Sequence, residues 1–273
     1  MTLIEYLMTA NHPIRGLLKR GIAKSGFGSF AFRYRIEALE RMQYAYIMVQ
    51  AAKLAAKLKQ DRISVLEFGV AGGSGLLCME RYADEIECLY PVKFEIYGFD
   101  TGAGLPPPSD YRDLPYHWKE GFFAMDEAVL TAKLKRSRLV IGNVADTCAT
   151  FVRDFNPAPI AAVSHDLDFY SSTVDGLKLF NEDSARLMPR IFNYFDDTIG
   201  SDIELYCDYT GERLAIEEFN AANAQRKIAV PYYLRAKEGL GAWRHQIWVS
   251  HLFDHPAYNR FVGEENQQLP ISR

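Results

Sequence analysis

The sequence has few cysteines, no long apolar run and no excess of positive charge. The four cysteines are far apart in the sequence, at Cys78, Cys88, Cys148 and Cys207. They show neither the paired spacing of a zinc site nor the density of a disulfide-rich domain. No apolar run reaches the roughly 18 residues that a membrane helix needs. The first residues also lack the charged start and clean apolar stretch of a secretion signal. We therefore predict a cytoplasmic protein with no membrane partner.

The charge balance argues against a polyanionic partner. The chain carries 31 Lys and Arg against 35 Asp and Glu, a net charge of -4, whereas nucleic-acid-binding proteins are more often basic. We therefore predict no nucleic-acid partner. With 273 residues, 48% of them hydrophobic, the chain can bury a substantial core as one large domain or two small ones.

Short apolar runs alternate with helical patterns along most of the chain. The predicted strands are Ile63–Phe68, Phe94–Phe99, Arg138–Val144, Ile160–Asp166 and Arg190–Phe195. Helical patterns occur at Ile36–Lys59, Gly75–Ala83, Met125–Leu134, Ser172–Leu187 and Gly211–Ala224. This alternation predicts an α/β fold, a Rossmann-like and mostly parallel sheet with helices on both faces. Two final runs, Ile228–Leu234 and Arg244–Leu252, are joined by a loop too short for a crossover helix and predict a C-terminal antiparallel hairpin.

We predict one domain over residues 36–273 with an N-terminal helical extension or arm over residues 1–35. The arm is mixed and somewhat basic, with Gly26 and Gly28 as breakers. It is either a helical lead-in with solvated charges or a lid or dimerisation arm over an active site. A dimerisation arm would make the protein a homo-oligomer.

The stretch EFGVAGGSG follows the first predicted strand, where open α/β sheets bind their ligands. It fits neither the G-x-G-x-x-G of dinucleotide enzymes nor the G-x-x-x-x-G-K-[ST] of phosphate loops. Its E-x-G-x-x-x-G-x-G spacing is close to the opening motif of S-adenosylmethionine (SAM) enzymes. Glycines there let an amino-acid tail and a sulfonium approach the backbone. A purely structural turn explains the loop, taken alone, equally well.

The next two strand ends also carry polar residues. Asp100 ends the second predicted strand, where a carboxylate can accept both ribose hydroxyls or can cap the following loop. Asn143 and Val144 end the third strand, where an adenine edge would lie, and Asp146 is a candidate cap for the next helix. Three strand ends in this order favour SAM more than any one of them alone.

Acidic residues follow the fourth and fifth predicted strands. The fourth ends in SHDLD and the fifth in FDD, so several carboxylates would meet at one edge of the sheet. Like charges at that distance raise each other's pKa unless a cation neutralises them, and oxygen ligands suit Mg²⁺, Mn²⁺ or Ca²⁺. We predict that Asp166, Asp196 and Asp197 bind such a cation, with helix caps as the alternative. Because side chains alternate along a strand, we expect Asp168 to face away.

Five stretches occur in an order that resembles a known family. They are EFGVAGGSG, GFDTGAGLP, HDLDFYSST, FDD and YTGERLAIEEF. Together, over residues 65–219, they look like the macrocin-type sugar O-methyltransferases, and the predicted sheet has the layout of class I methyltransferases. The resemblance implies contacts to SAM from Gly69, Gly73, Ser74 and Asp100, a loop shaped by Glu67, and metal ligands at Asp166, Asp196 and Asp197. The chain departs from the family at Arg190, where glycine is expected, and at Thr198, which is often Tyr.

These observations define the candidate site. The predicted cofactor-binding residues are Glu67, Gly69, Gly73, Ser74, Gly75, Asp100, Asn143 and Val144. The candidate catalytic residues are Asp166 and His165, although a histidine beside a strand end is more often packed than catalytic. The aromatic loop containing His117 either roofs an acceptor pocket or packs on the surface.

The leading interpretation is a SAM-dependent O-methyltransferase that needs Mg²⁺ or another divalent cation. Its acceptor would be a small hydroxylated molecule, such as a sugar of a natural product. The alternatives are a SAM-binding protein without catalysis and a different enzyme on the same scaffold, such as a hydroxylase.

Overall fold

The computed structural model describes residues 15–237 and 241–268, and the first 14 residues of the predicted arm lie outside them. The strands are β1 (Arg62–Phe68), β2 (Lys93–Asp100), β3 (Arg138–Ile141), β4 (Ile160–His165), β5 (Leu187–Phe195), β6 (Arg226–Ala229) and β7 (Ile247–Leu252). The helices are α1 (Arg15–Ser25), α2 (Phe30–Arg35), α3 (Met42–Leu58), α4 (Ser74–Glu87), α5 (Glu127–Lys133), α6 (Val144–Phe155), α7 (Tyr170–Leu177), α8 (Gly211–Ala222) and α9 (Tyr232–Arg235).

The described strands form one sheet of seven in the order β3-β2-β1-β4-β5-β7-β6. The first five are parallel, and β7 runs antiparallel to both β5 and β6. The predicted Rossmann-like sheet with an antiparallel C-terminal pair is therefore confirmed. Strands β1 and β4 are neighbours at the centre of the sheet, and the chain continues from β1 to β2 on one side and from β4 to β5 on the other. Because the strand order reverses there, a crevice opens at the carboxyl ends of β1 and β4.

The predicted C-terminal hairpin is wrong in its connection. β6 ends at Ala229 and β7 begins only at Ile247, so α9 and a 3₁₀ turn over Ala242–His245 lie between them. Pro231 explains the early end of β6, because proline has no N–H to donate to the sheet. It instead precedes the first turn of α9.

Other boundaries differ for local reasons. β3 stops at Ile141 because Gly142 has a φ of +144° and the Asn143 side chain caps α6 by accepting from the N–H of Ala145. The predicted helix Ser172–Leu187 ends at Leu177, and two 3₁₀ turns precede β5. The helix predicted from Ile36 begins at Met42, after a turn in which Glu37 has a φ of +55°.

The alternation of side chains along β1 builds a core on each face of the sheet. Ile63 and Val65 pack against α3 and α4, whereas Leu66 and Phe68 join the core that α6, α7 and α8 cover. Helix α3 buries eleven of its seventeen residues. Each large apolar side chain buried in this way contributes about 1.5–3 kcal/mol. Helix α3 is therefore a central element, and it brings its first residues to the carboxyl end of β1.

Helix α2 belongs to the body of the fold. Phe30 is buried in the core that contains α3, and its ring meets Tyr82 edge to face. Arg33 forms a 2.5 Å ion pair with Glu85 of α4. Among the described residues, no helix is both long and apolar enough to cross a membrane.

Candidate functional site

The loop after β1 requires glycine at specific positions. Gly69 has a φ of +79°, and a Cβ there would lie 1.7 Å from the carbonyl oxygen of Asp166. Gly73 has a φ of +78°, and a Cβ there would lie 2.2 Å from Cδ1 of Leu130. Only glycine adopts such a backbone without strain in so little space. The loop therefore presses its backbone against the chain that leaves β4.

Asp100 ties the glycine loop to the end of β2. Its Oδ2 accepts hydrogen bonds of 2.9 Å from the N–H groups of both Val70 and Ala71, and its Oδ1 accepts one of 2.7 Å from Gly102. A carboxylate offers about four acceptor sites. The structure thus gives Asp100 the loop-fixing role that was the alternative to ribose binding, and one acceptor site remains.

A cavity of about 340 Å³ lies at the carboxyl ends of β1 to β5. This volume lies within the range of small-molecule sites. The predicted residues that line it are Gly69, Asp100, Asn143, Val144, Asp166, Asp196 and Asp197. The other predicted residues, Glu67, Gly73, Ser74, Gly75 and His165, lie outside the cavity lining.

Three aspartates converge at the far end of this cavity. Asp166, Asp168 and Asp197 each offer a carboxylate oxygen within 4.8 Å of the others, and we call them the three-aspartate group. Asp168, which we had expected to face away, lines the cavity and belongs to this group. Strand β4 ends at His165, and Asp168 has a φ of +59°, so the alternation expected of a strand does not apply to it. Asp196 lines the same cavity and accepts a hydrogen bond from the hydroxyl of Tyr194.

Neighbouring polar groups hold Asp197 in place. The N–H of Asp168 donates to Asp197 Oδ2 at 2.9 Å, and the hydroxyl of Tyr206 donates to Asp197 Oδ1 at 3.1 Å. The N–H of Asp197 in turn donates to Glu212 Oε2 at 2.9 Å. Sequence reasoning assigned no role to Tyr206 or Glu212, although Glu212 lies in the quoted stretch YTGERLAIEEF.

The electrostatics of this end of the cavity favour a bound cation. Burial, and then the charges of Asp196 and Asp168, raise the pKa of Asp166. Burial, and then Asp196, raise the pKa of Asp168 to about 7. Burial, and then Asp168, raise the pKa of Asp197. Since a cation would relieve this repulsion and all the donors are oxygens, the three-aspartate group fits a hard divalent ion such as Mg²⁺.

His165 lies in the core and not at the cavity. Its ring stacks on Phe195 at 4.1 Å and packs near Phe68 and Phe180. It is fully buried, and burial lowers its pKa to about 3. A group in this position stays neutral and packs as an aromatic side chain, so the structure does not bring it together with the three-aspartate group.

Aromatic residues of the β2–α5 connection cover the cavity. Trp118, Phe122 and Phe123 line it, which is the roof that one interpretation of the sequence expected. The indole N–H of Trp118 donates to the hydroxyl of Tyr206 at 3.0 Å, and that hydroxyl reaches Asp197. His117 lies 3.5 Å from a carboxylate oxygen of Glu204. The roof is therefore joined to the three-aspartate group through Tyr206.

Glu67 is buried beneath the glycine loop. Its Oε1 accepts a 2.7 Å hydrogen bond from the hydroxyl of Tyr44 in α3, and a Cβ on Gly75 would lie only 1.9 Å from that oxygen. Gly75 thus leaves room for the carboxylate. Burial raises the pKa of Glu67 to about 7.

Comparison with known proteins identifies the fold. The solved structure of CalS11, a calicheamicin methyltransferase, is similar over 77% of this chain and 86% of that one, with 21% identity and a TM-score of 0.51. The O-methyltransferase NovP is similar over 69% of this chain and 75% of that one, with 16% identity and a TM-score of 0.49. No family model and no curated protein matches the chain. The sheet and the likeness to CalS11 together define a class I methyltransferase fold.

Proposed function

We propose that this protein is a SAM-dependent O-methyltransferase that requires a divalent cation and acts on a hydroxyl of a small acceptor. One observation carries the proposal: a single cavity joins a glycine loop at the end of β1 to three convergent aspartates at the ends of β4 and β5. The first feature suits a ligand that presses against backbone, and the second suits a hard cation.

SAM would lie across the ends of β1, β2 and β3. Gly69 lets the ligand approach the backbone, and the remaining acceptor site of Asp100 would take a ribose hydroxyl. Asn143 and Val144 line the cavity beyond Asp100, at the start of α6, where the adenine edge would lie. Asp100 would thus fix the loop and orient the ribose at once.

Asp166, Asp168 and Asp197 would hold the cation. When bound, SAM supplies an electrophilic methyl group, and the cation lowers the pKa of a hydroxyl that it contacts. Asp197 keeps its orientation through the N–H of Asp168 and the hydroxyl of Tyr206. Asp166 lines the cavity, and we propose it as the group that accepts the proton of the acceptor hydroxyl. Because SAM and the acceptor would share one cavity, the main contribution of the cavity to the rate would be to align the methyl group with the acceptor hydroxyl.

The roof favours an acceptor with a flat or weakly polar ring face. The rings of Trp118 and Phe123 meet edge to face, with centroids 5.8 Å apart, and both line the cavity that contains the aspartates. Aromatic side chains of this kind pack well on the apolar face of a sugar or an aryl ring. We propose a hydroxylated ring, such as a sugar of a natural product, as the acceptor.

A hydroxylase on the same scaffold is less well supported. Non-haem iron oxygenases use two histidines and one carboxylate. Within residues 15–237 and 241–268, the convergent group consists of aspartates, and His165 lies in the core.

Calorimetry tests the proposal in two parts. S-adenosylhomocysteine (SAH) is titrated into the protein with and without Mg²⁺, and then a panel of glycosides and phenols is screened for SAH formation from SAM. We expect micromolar SAH binding, and turnover that EDTA abolishes and Mg²⁺ restores. Failure to bind SAH at millimolar concentration would refute the methyltransferase assignment, and turnover that persists in EDTA would refute the metal requirement alone.

A further inference from the structure

The ring of Tyr206, in the connection between β5 and α8, is held between two glycines. A Cβ on Gly200 would lie 2.5 Å from Cδ2 of this ring, and a Cβ on Gly211 would lie 3.0 Å from its Cδ1. Both glycines also have a positive φ, of +67° and +57°, which disfavours any larger residue. The two edges of the ring therefore fit between two backbone turns that leave it little freedom.

The backbone turns Tyr206 inward from an exposed segment. Its neighbours Leu205 and Cys207 are exposed, whereas Tyr206 is half-buried. Leu205 has a φ of +52°, which is an uncommon and strained backbone conformation for leucine. Strain of this kind persists where the surrounding structure fixes it, and it is concentrated at functional sites.

The hydroxyl of Tyr206 has one partner in the aromatic roof and one in the three-aspartate group. The indole N–H of Trp118 donates to it at 3.0 Å, and the hydroxyl donates to Oδ1 of Asp197 at 3.1 Å. An indole N–H can only donate and a carboxylate can only accept, so the direction of this chain is fixed. Trp118 and Asp197 both line the cavity, and Tyr206 joins them from outside its lining.

The roof meets the same connection at a neighbouring point. The hydroxyl of Tyr116 donates to the backbone carbonyl of Glu204, and His117 lies 3.5 Å from the carboxylate of Glu204. These contacts hold the two segments together whether or not the hydroxyl of Tyr206 is present. The hydroxyl is therefore more than a fastening for the roof, because it is the contact that ends on a proposed cation ligand.

We propose that Tyr206 is a positioning residue that couples the aromatic roof to the cation site, so that cation affinity depends on the indole N–H of Trp118. A hydrogen bond that the hydroxyl accepts polarises the one that it donates, and the chain holds Asp197 in the orientation that the three-aspartate group needs. This proposal rests on the proposed function, because it concerns the cation of the same site. Since such coupling is reciprocal, an acceptor ring that holds Trp118 in place would strengthen cation binding.

The test measures Mn²⁺ affinity by electron paramagnetic resonance in a double-mutant cycle. Tyr206→Phe keeps the ring between its two glycines and removes the hydroxyl, so we expect Mn²⁺ to bind about tenfold more weakly. Trp118→Phe keeps an aromatic side chain in the roof but has no N–H, and we expect a loss of about threefold.

The double variant distinguishes coupling from two separate effects. If Trp118 acts through the hydroxyl of Tyr206, its replacement changes nothing once that hydroxyl is absent. We therefore expect the double variant to bind Mn²⁺ as Tyr206→Phe does, whereas independent effects would multiply to a loss of about 30-fold.

Tyr116→Phe is the matched control. It removes a hydroxyl that joins the same two segments but ends on the backbone carbonyl of Glu204. We expect its Mn²⁺ affinity to be that of the wild type. Melting temperatures of all variants in EDTA separate cation binding from folding.

Four results would overturn the proposal. Two of them are an unchanged Mn²⁺ affinity in Tyr206→Phe and an unchanged affinity in Trp118→Phe, which leaves Tyr206 in place. A 30-fold loss in the double variant would show that the two residues act independently. A loss in Tyr116→Phe equal to that in Tyr206→Phe would assign the effect to the folding of the roof. A wild-type protein that binds no Mn²⁺ would instead refute the cation requirement of the proposed function.

Discussion

The backbone N–H of Asp168 donates a 2.9 Å hydrogen bond to Oδ2 of Asp197, and this bond joins the chain that leaves β4 to the chain that leaves β5. Asp168 can make it because its backbone is left-handed, with a φ of +59°. The same turn brings the Asp168 carboxylate within 4.8 Å of those of Asp166 and Asp197. Backbone conformation, more than the identity of the strand residues, therefore assembles the proposed cation site.

Replacing Asp168 should remove most of the cation affinity. Asp168→Asn deletes one of three convergent charges, so we expect Mn²⁺ or Mg²⁺ to bind at least about tenfold more weakly, since the affinity of such sites follows the number of charged ligands. Electron paramagnetic resonance with Mn²⁺ measures free and bound ion directly. Asp202→Asn is the control, because Asp202 is an exposed residue of the loop that follows Asp197. Equal Mn²⁺ affinity in Asp168→Asn and wild type would contradict the assignment.

The glycine loop should tolerate a substitution by alanine at Gly72 but not at Gly69. Gly69→Ala forces a Cβ to within 1.7 Å of the Asp166 carbonyl oxygen at a φ of +79°, so we expect a loss of about 2–4 kcal/mol in the free energy of unfolding. Gly72→Ala meets nothing within 4 Å and should change it by less than about 0.5 kcal/mol. Urea unfolding compares the two variants. Similar stabilities would show that the loop does not press on Asp166 in solution.

Without a cation, the protein should become less stable as the pH rises through the neutral range. The pKa of Asp168 is raised to about 7 in the folded protein from an ordinary 3.8. Between these values the unfolded chain has released the proton that the folded chain still holds, so the free energy of unfolding falls as the pH increases.

This dependence is checked by melting temperatures in EDTA from about pH 5 to pH 8. We expect the wild type to lose more stability over that range than Asp168→Asn, which lacks the titrating carboxyl group at this position. We also expect Mg²⁺ at the upper end of the range to restore the stability of the wild type. Parallel curves of melting temperature against pH for the two proteins would show that the environment of Asp168 does not raise the pKa of its carboxyl group.

The aromatic roof should act on the acceptor and leave the cosubstrate alone. For an acceptor that the glycoside and phenol panel identifies, Trp118→Ala should raise the acceptor KM by about tenfold, the cost of one lost aromatic contact, with the KM for SAM within about twofold. Tyr111→Ala is the control, because Tyr111 belongs to the same connection and is 68% exposed. If Trp118→Ala raised the KM for both the acceptor and SAM, Trp118 would maintain the shape of the whole cavity and would not act on the acceptor specifically.

Local patterns were enough to predict the parallel part of the fold. Alternating apolar runs located β1 to β5, and polar residues at their ends predicted where the cavity lies. Where the prediction failed, single residues decided the outcome: Pro231 ended β6 early, and Asn143 began α6 where a strand had been expected to continue.

The details of the site depended on tertiary contacts. Asp168 faces the cavity because of a positive φ that the alternation of a strand does not predict. Tyr206 reaches Asp197 from nine residues away, and Tyr44 reaches Glu67 from helix α3, for which the sequence predicted only a helical pattern. No periodicity marks such residues, because their partners are set by how the elements pack.

The most direct test of the account is a crystal structure grown with SAH and Mn²⁺, with anomalous scattering used to locate the ion. We predict SAH along Gly69, Asp100 and Asn143, and one Mn²⁺ coordinated by Asp166, Asp168 and Asp197 at the other end of the same cavity. A fully occupied Mn²⁺ site elsewhere, or SAH bound away from the glycine loop, would contradict it.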